Sequence, residues 1–310
     1  MMDPEKVNEY FSKIIKTELD VSAGVAAIRT LMEVIRQSES ETVQELEANL
    51  KEAIMIMKNS NFPVAAITSG CELFLRFITL VGMDTVGSFS ECKQIMLNRG
   101  TLFLKKLGEA RSKIVKNASK FILDGSKVLT HSRSRVVLQT LREAHSQCKI
   151  FEVYVTISAP DNSGKQMCKD LLKQGIPCTL ILDSAVGYIM EQIDFIMVGA
   201  EGVMESGGIV NKVGSYTLAV CANEMKKPFY VLTESFKFSR LFPLNQQDLP
   251  VEYKYLSKTR QEFNNLKTAH PLVDYTPPFY ITLLFTDIGI LTPSAFISKC
   301  LEPVSGPVVT

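Results

Sequence analysis

Apolar residues recur at helical intervals throughout the first 123 residues of this chain. The first such face consists of Val7, Tyr10, Phe11, Ile14 and Ile15. Asp3 followed by Pro4 is typical of a helix start, because aspartate caps free N–H groups and proline at the first helical position loses no hydrogen bond. The spacing of the apolar positions therefore predicts a helical N-terminal domain over residues 1–123.

Three further patterns belong to this helical region. Ser38 and Glu41 have the spacing of a capping box, which predicts a helix start at Ser38. Residues 71–80 form an apolar run that predicts another helix. The apolar positions of residues 91–121 lie among many lysines and arginines, a pattern typical of a solvated helix face rather than of a nucleic-acid site.

The periodicity changes near Asp124-Gly125, where short β-rich runs begin to alternate with helical segments. The strand candidates are Lys127–His131, Phe151–Ile157, Cys178–Leu182, Phe195–Val198, Phe229–Leu232 and Ile281–Phe285. The helix candidates are Ser134–Gln147, Gly164–Gln174, Val186–Gln192 and Ser215–Met225. This alternation predicts an α/β fold in which residues 124–310 form a Rossmann-like, mostly parallel sheet with helices on both faces. The polar residues 236–278 are expected to be an excursion before the last strand.

Composition narrows the class of protein. Hydrophobic residues make up 46% of the 310 residues and charged residues 22%, which is enough apolar sequence for a large buried core. The net charge of +1 argues against a broad binding surface for DNA or anionic lipid. No apolar run approaches ~18 residues, so no membrane span is expected, and the polar N-terminus is unlike a signal peptide. The seven cysteines lack CxxC pairs, which disfavours a disulfide framework and structural zinc and favours reduced thiols in a cytosolic protein.

Polar residues stand at the carboxyl ends of two predicted strands, where α/β proteins bind their ligands. His131, Ser132 and Arg133 end the first strand, and Glu201 follows a later one. A Ser–His–acid triad is not favoured, because adjacent residues on an extended strand point to opposite faces and no GxSxG elbow occurs. The three histidines are scattered along the sequence, which disfavours a histidine-based metal site.

The glycine-rich residues 199–214 are predicted to form a loop that leads into a helix. Small residues let the backbone approach a ligand, and a helix N-terminus offers N–H groups to a phosphate. Asn211 and the positive charge of Lys212 would lie beside that phosphate. The alternative is a tight strand-to-helix connection without a ligand, since neither GxxxxGK[ST] nor GxGxxG is present.

A second loop, residues 158–165, also follows a strand and opens a helix near Gly164. Its polar residues can bind a ligand, and the alternative is that Asn162 or Ser163 is simply the helix N-cap. Asp183, after the next strand, is likewise expected to cap a helix.

Eight segments of the chain resemble a known family. They are GVAAIRTL (24–31), CELFLRFITL (71–80), LTHSRSRVVL (129–138), DSAVGYIM (183–190), VGAEGV (198–203), NKVGSY (211–216), PFYVLTESFKFSRLFPLNQQD (228–248) and FTDIGILTPSA (285–295). Together they resemble the alpha-subunit family of eukaryotic translation initiation factor 2B, over nearly the whole chain. Methylthioribose-1-phosphate isomerase and ribose-1,5-bisphosphate isomerase belong to the same superfamily. The resemblance implies a helical domain joined to a Rossmann-like domain, in agreement with the periodicity.

Three positions depart from the pattern of the isomerases. The resemblance places Ser132 where those enzymes carry cysteine, Glu201 where they carry aspartate, and Ala159 where they carry arginine before a proline. A hydroxyl is far less acidic than a thiol, an extra methylene displaces the carboxylate, and loss of arginine removes a phosphate clamp. The expectation is a protein with no catalytic residue, no cofactor and no metal. Asn211 and Lys212 do match the phosphate-side motif, which leaves a vestigial sugar-phosphate or nucleotide pocket formed by His131, Ser132, Arg133, Gly164, Glu201, Asn211 and Lys212.

The resemblance also implies a function. It implies a regulatory, non-catalytic subunit of the complex that exchanges GDP for GTP on initiation factor 2, acting in the cytosol. A homodimer formed through the C-terminal domain would bridge two sets of beta, gamma, delta and epsilon subunits into a decamer. The same subunit would sense the phosphorylated alpha subunit of initiation factor 2 and permit inhibition under stress. The alternatives are an active isomerase of the methylthioribose-1-phosphate type and a stand-alone sugar-phosphate or nucleotide sensor.

Two further features bear on that function, one in the helical domain and one at the C-terminus. Glu41 and Thr42 match a family segment implicated in contact with the phosphorylated factor, and the alternative is a plain capped helix start. Residues 302–310 contain Pro303, Gly306 and Pro307, which oppose helix formation and predict a loose C-terminal tail.

Overall fold

The structure is a computed structural model, and it describes residues 3–18, 21–60, 62–79, 89–262 and 269–301. The chain divides into two compact units. The first comprises residues 1–109 and 251–270, and the second comprises residues 110–250 and 271–310. The predicted tail at residues 302–310 lies outside the described residues.

The described part of the first unit is helical, as predicted. Its helices are α1 (Pro4–Thr17), α2 (Ala23–Gln37), α3 (Val43–Lys58), α4 (Val64–Thr79), the first part of α5 (Phe89–Ala118), and, later in the chain, α10 (Val251–Lys254) and α11 (Ser257–Glu262). Asp3 caps α1 as expected, since its Oδ1 atom accepts a hydrogen bond from the Glu5 N–H at 3.1 Å. Apolar side chains of these helices, among them Phe11, Ile28, Leu31 and Phe74, form one buried core.

The predicted helix start at Ser38 is wrong. Ser38 instead ends α2, and the N-cap of α3 is Thr42, whose Oγ1 atom accepts from the Glu45 N–H at 3.2 Å. Ser38 with Glu41 and Thr42 with Glu45 have the same capping-box spacing. Only the second pair is continued directly by an apolar helical face, which begins immediately after Thr42.

The second unit contains the predicted Rossmann-like sheet. Its strands are β1 (Lys127–His131), β2 (Glu152–Thr156), β3 (Cys178–Ile181), β4 (Phe195–Gly199), β7 (Phe229–Leu232), β10 (Leu283–Thr286) and β11 (Gly289–Leu291). They lie in the order β11-β10-β7-β4-β1-β2-β3, in which β11 is antiparallel to β10 and the other neighbours are parallel.

Helices cover both faces of this sheet. The end of α5 packs on one face with α6 (Arg135–Ser146) and α7 (Ser163–Leu172). The other face carries α8 (Val186–Ile189), α9 (Ser215–Glu224) and α12 (Pro293–Leu301). The strand order reverses at β1, which lies between β2 and β4, so a crevice is expected at the carboxyl ends of β1 and β4.

A second sheet was not predicted. It consists of β5 (Gly202–Met204), β6 (Ile209–Lys212), β8 (Phe238–Ser239) and β9 (Val273–Thr276), in the order β8-β5-β6-β9. The predicted loop over residues 199–214 therefore contains an antiparallel hairpin, β5–β6. Gly208 in its turn serves packing, because a Cβ atom there would lie 2.4 Å from Cε2 of Tyr275.

The first division between the two compact units falls at 109–110, inside the 30-residue helix α5, and the domain boundary at 123–124 stays a prediction. The last turns of this helix belong with the sheet, since Ile114, Val115 and Ala118 are buried against it. Residues 251–270, expected to be part of an excursion, belong with the helical unit. Among the described residues, no helix is both long and apolar enough to cross a membrane.

Candidate functional site

His131 is the last residue of β1, and both of its ring nitrogens form hydrogen bonds. Its Nε2 atom lies 2.8 Å from the Val213 carbonyl oxygen, which can only accept, so Nε2 carries the proton. Its Nδ1 atom then accepts from the Thr156 hydroxyl at 2.6 Å. Burial lowers the pKa of His131, against the opposing effects of the Val213 carbonyl and Asp183. The ring is therefore a neutral, fixed group rather than a base aimed at Ser132.

Ser132 and Arg133 follow β1, and both side chains contact α7. Ser132 has a left-handed backbone, with φ of 62°, and its hydroxyl contacts that of Ser163 at the start of α7 at 2.6 Å. Arg133 donates from Nε to Asp170 near the end of α7 at 2.9 Å. Ser132 is thus paired with the first residue of α7, and the guanidinium of Arg133 with a carboxylate further along the same helix.

Gly164 is the point of closest approach between α7 and β2. A Cβ atom there would lie 1.8 Å from the Thr156 carbonyl oxygen and 2.9 Å from that of Ile157. The Gly164 N–H donates to the Ile157 carbonyl at 3.1 Å. Glycine at this position lets α7 start close to the strand end, and so brings Ser163 to Ser132.

Glu201 and Lys212 form the charged part of the site. Burial raises the pKa of the Glu201 carboxyl, although Lys212 and Lys237 oppose the shift. Burial lowers the pKa of the Lys212 ammonium, but the negative charges of Glu201 and Asp161 raise it by more, so the net shift is upward. Lys212 donates to Asp161 Oδ2 at 2.8 Å, in a pair whose side chains remain 29% and 37% exposed. A carboxyl whose pKa burial raises therefore lies near the positively charged ammonium of Lys212.

A second cluster continues from Glu201 along the same edge of the sheet. Lys237 donates to the Ala200 carbonyl at 2.9 Å and pairs with Glu234 Oε2 at 2.8 Å. Glu234 follows β7, is 3% exposed, and also contacts Arg111 at 3.4 Å. Burial would raise the pKa of Glu234, but Lys237 and Arg111 outweigh it and lower the pKa to about 2. Charges of alternating sign therefore line the carboxyl edge of the sheet.

The predicted phosphate site at the N-terminus of α9 is already occupied by a carboxylate. Asp274 Oδ2 accepts from the N–H groups of Gly214 at 2.6 Å and Tyr216 at 3.0 Å. Burial raises the pKa of Asp274 to about 7, although these N–H groups oppose the shift. Asn211 donates to the Ser215 hydroxyl at 2.9 Å, so it braces the first turn of α9. The sequence missed Asp274 because it lies about 60 residues beyond its partners.

Asp183 has a different role from the predicted helix cap. Its two carboxylate oxygens accept from the N–H groups of Ser158 and Ala159, each at 2.9 Å. It therefore holds the loop between β2 and α7. In that loop Asn162 is the N-cap of α7 by position, but its side chain makes no capping hydrogen bond. Asp161, which the sequence left without a role, supplies the partner of Lys212.

The structure thus brings together most of the predicted pocket residues at the carboxyl edge of the sheet. His131, Ser132 and Gly164 bound it on the β1 and α7 side, and Glu201 with Lys212 forms its charged part. Glu41 and Thr42 belong to the other compact unit, where both are exposed. The Thr42 hydroxyl caps α3, and the Glu41 N–H donates to Glu45 Oε2 at 3.2 Å.

Comparison with known proteins identifies the family. The model described as "Initiation factor 2 subunit family" matches residues 17–293. The chain is 41% identical to translation initiation factor eIF2B subunit alpha of Dictyostelium discoideum, over 94% of each chain. It is 39% identical to the protein of the same name from Caenorhabditis elegans, over 95% of this chain and 97% of the relative. The solved structure of translation initiation factor eIF-2B from Pyrococcus horikoshii OT3 has the same fold, with a TM-score of 0.70 and 23% identity over 94% of this chain and 98% of that one.

An isomerase is more distant. Ribose 1,5-bisphosphate isomerase of Archaeoglobus fulgidus is 30% identical over 93% of this chain and 90% of its own length. The higher identity to the alpha subunits indicates a regulatory, non-catalytic subunit, as expected from Ser132 and Glu201. The predicted resemblance and fold are confirmed, and the chain belongs to the Initiation factor 2 subunit family.

Proposed function

We propose that this chain is an alpha-type regulatory subunit of the complex that exchanges GDP for GTP on initiation factor 2. It acts in the cytosol, as a homodimer that joins two sets of beta, gamma, delta and epsilon subunits into a decamer. The observation that carries this proposal is the roughly 40% identity to eIF2B alpha subunits over nearly all of this chain and of theirs. The neutral, doubly hydrogen-bonded His131 and the hydroxyl of Ser132 give no support to an isomerase.

The carboxyl end of the edge strand β3 and helix α8 offer a surface for the homodimer. In the described residues β3 ends the seven-stranded sheet, so one of its edges is unpaired. Leu182, directly after β3, and Tyr188, on α8, are 60% and 86% exposed, and Leu180 on the strand is 37% exposed. Neighbouring exposed apolar side chains next to an unpaired strand edge are typical of an interface between subunits.

Leu182→Asp is expected to convert the dimer into a monomer, because a carboxylate would be buried without a partner in the interface. Light scattering at micromolar concentration measures the molar mass. Ile150→Asp is the matched control, since Ile150 is 77% exposed but lies between α6 and β2. A wild-type monomer, or a Leu182→Asp variant that remains dimeric, would contradict the proposed surface.

The turn before α3 is the proposed contact for phosphorylated initiation factor 2. Glu41 and Thr42 are exposed, and Thr42 fixes the first turn of the helix. Lys93 donates to the Ser38 carbonyl at 2.6 Å, so a positive charge stands beside the turn. A cation next to an ordered helix start suits a partner whose charge becomes more negative on phosphorylation.

The test is GDP release from initiation factor 2 by a beta–gamma–delta–epsilon complex, with and without this chain and with and without phosphorylated factor. This chain is expected to raise exchange and to make it sensitive to the phosphorylated factor. Thr42→Ala should weaken inhibition by about 10-fold, because it removes the hydroxyl and the helix cap from the contact without adding a charge. Thr42→Ser keeps both and serves as the control. A chain that changes neither exchange nor sensitivity would refute the proposal.

The crevice is a second candidate for function, as a pocket for a sugar phosphate or a nucleotide. The ammonium of Lys212, whose pKa Glu201 and Asp161 raise, can pair with a phosphate. The ligand must displace Asp161 from Lys212, which costs about 1 kcal/mol or less because the pair is partly exposed. The α9 N-terminus does not contribute N–H groups of Gly214 and Tyr216 while Asp274 holds them.

Lys212→Met is expected to weaken binding of such ligands by roughly 10- to 100-fold, the loss of one charge-assisted hydrogen bond. Calorimetry with a panel of sugar phosphates and nucleoside monophosphates measures the affinity. Lys165→Met removes an exposed lysine near the same loop and should leave it unchanged. No binding by the wild-type chain, or equal binding by Lys212→Met, would rule out this pocket.

A further inference from the structure

Two cysteines of the second unit face each other. Cys168 lies on α7 and Cys178 is the first residue of β3, ten positions further along the chain. Their Sγ atoms are 2.9 Å apart, and both are free thiols. Cys168 is buried, with 8% exposure, whereas Cys178 is only partly buried. The closeness of the two sulfurs sets this pair apart from an ordinary buried cysteine in a core.

We propose that Cys168 and Cys178 form a dithiol oxidation site, at which a low-molecular-weight disulfide closes an intrachain bridge between α7 and β3. A bridge requires two Cβ–Sγ bonds that point towards each other at short range. At 2.9 Å the two sulfurs are within about 1 Å of the ~2.05 Å length of an S–S bond. Such bridges in reducing compartments are transient and respond to the redox state.

The difference in exposure sets the order of the two steps. The thiolate of Cys178 attacks one sulfur of the small disulfide, whose S–S bond breaks and releases one thiol. Cys168, as its thiolate, then attacks the Cys178 sulfur of the mixed disulfide and releases the second thiol. The protein loses two protons and two electrons, which the small disulfide takes up as it becomes two thiols.

The bridge would join two elements that hold one loop of the crevice. Helix α7 begins with Ser163, which contacts Ser132, and β3 leads to Asp183, which binds the N–H groups of Ser158 and Ala159. Burial and the neighbouring Cys168 raise the pKa of the Cys178 thiol. Only a small fraction is thiolate at neutral pH, so closure is slow there and accelerates as the pH rises.

The test exposes the full-length chain to oxidised glutathione, quenches with acid and maps the peptides by mass spectrometry. We expect a cross-linked pair of peptides containing Cys168 and Cys178, lighter by two hydrogens than the two thiol peptides. The initial rate should rise about 10-fold per unit between pH 7 and 9, in step with the thiolate fraction. The exposed Cys148 is the internal comparison, and should carry a glutathione adduct. Unmodified Cys168 and Cys178 in chains whose Cys148 has reacted, or a lasting adduct on Cys178, would overturn the proposal.

Two variants separate closure from simple adduct formation. Cys168→Ser removes the resolving thiol, so glutathione should remain attached to Cys178 in that variant as a stable adduct. Cys221→Ser alters another partly buried cysteine and should close the bridge as the wild type does. An adduct on Cys178 that is lost from Cys168→Ser as fast as from the wild type would overturn the assignment of Cys168 as the second thiol. If Cys168→Ser does not fold, the peptide map of the wild-type chain decides the question alone.

Discussion

Gly164→Ala is expected to destabilise the second unit by about 4 kcal/mol, a large effect for the addition of one methyl group. The added Cβ atom would lie 1.8 Å from the Thr156 carbonyl oxygen and 2.9 Å from that of Ile157. Both obstacles are backbone atoms at the end of β2, so no side chain can turn away to make room. The first turn of α7 must therefore move. This movement strains the hydrogen bond from the Gly164 N–H to the Ile157 carbonyl and separates Ser163 from Ser132.

Urea unfolding of the full chain, followed by circular dichroism, measures this loss. Gly187→Ala is the matched control, because Gly187 lies on α8 of the same unit and nothing is within 4 Å of its added Cβ atom. That control should be neutral or stabilising by up to about 1 kcal/mol, since alanine restricts the unfolded chain. A Gly164→Ala variant within about 1 kcal/mol of the wild type would show that α7 can move away from β2 without strain.

Much of the sheet could be predicted from the sequence because its strands are buried apolar runs. Lys127–His131 and Phe229–Leu232 have in the structure the bounds that the sequence predicts. The reversal of strand order at β1 could also be foreseen, and it is the reason that the carboxyl ends of β1 and β4 are the proposed place of the pocket. His131 and Glu201 are predicted at these strand ends from that rule alone.

The second sheet could not be predicted in the same way. Strands β5 and β6 have three and four residues, too few for an alternating pattern, and glycines lie before, within and between them. Strand β9 pairs with β6 across about 60 residues, a pairing that no local pattern encodes. The same separation hid Asp274, and with it the occupation of the α9 N-terminus by a carboxylate of the protein itself.

Tertiary contacts likewise decided the roles of the acidic residues. Asp183 has the sequence position of a helix cap, yet its carboxylate binds a loop that precedes it by 24 residues. Glu234 gave no signal in the sequence, because nothing local marks a carboxylate as buried. Its role in an ion-pair cluster follows only from the structure, in which it contacts Lys237 and Arg111.

Glu234→Gln is the other change with a large expected effect, a loss of about 3 kcal/mol in the free energy of unfolding. The wild-type carboxylate lies between Lys237 and Arg111, whose side chains are only 13% and 18% exposed. Glutamine keeps the size but removes the negative charge, which leaves two poorly solvated cations facing each other. Lys237 also donates to the Ala200 carbonyl, so the damage should reach the end of β4 beside Glu201.

The dependence of this loss on pH distinguishes an ion pair from simple packing. Lys237 and Arg111 lower the pKa of Glu234 to about 2, below the value near 4.5 of an unfolded chain. A lowered pKa stabilises the fold above the unfolded value, and that stability is lost as the pH falls through the folded value. The difference in the free energy of unfolding between wild type and Glu234→Gln should therefore be constant above about pH 5 and shrink between about pH 4.5 and 2.

Glu18→Gln is the control, since the Glu18–Arg29 pair has the same 2.8 Å distance as Glu234–Lys237 but its side chains are 38% and 48% exposed. Glu18→Gln should lower the free energy of unfolding by less than about 1 kcal/mol at any pH. An equal loss for both variants would refute the view that burial makes the Glu234 pair strong.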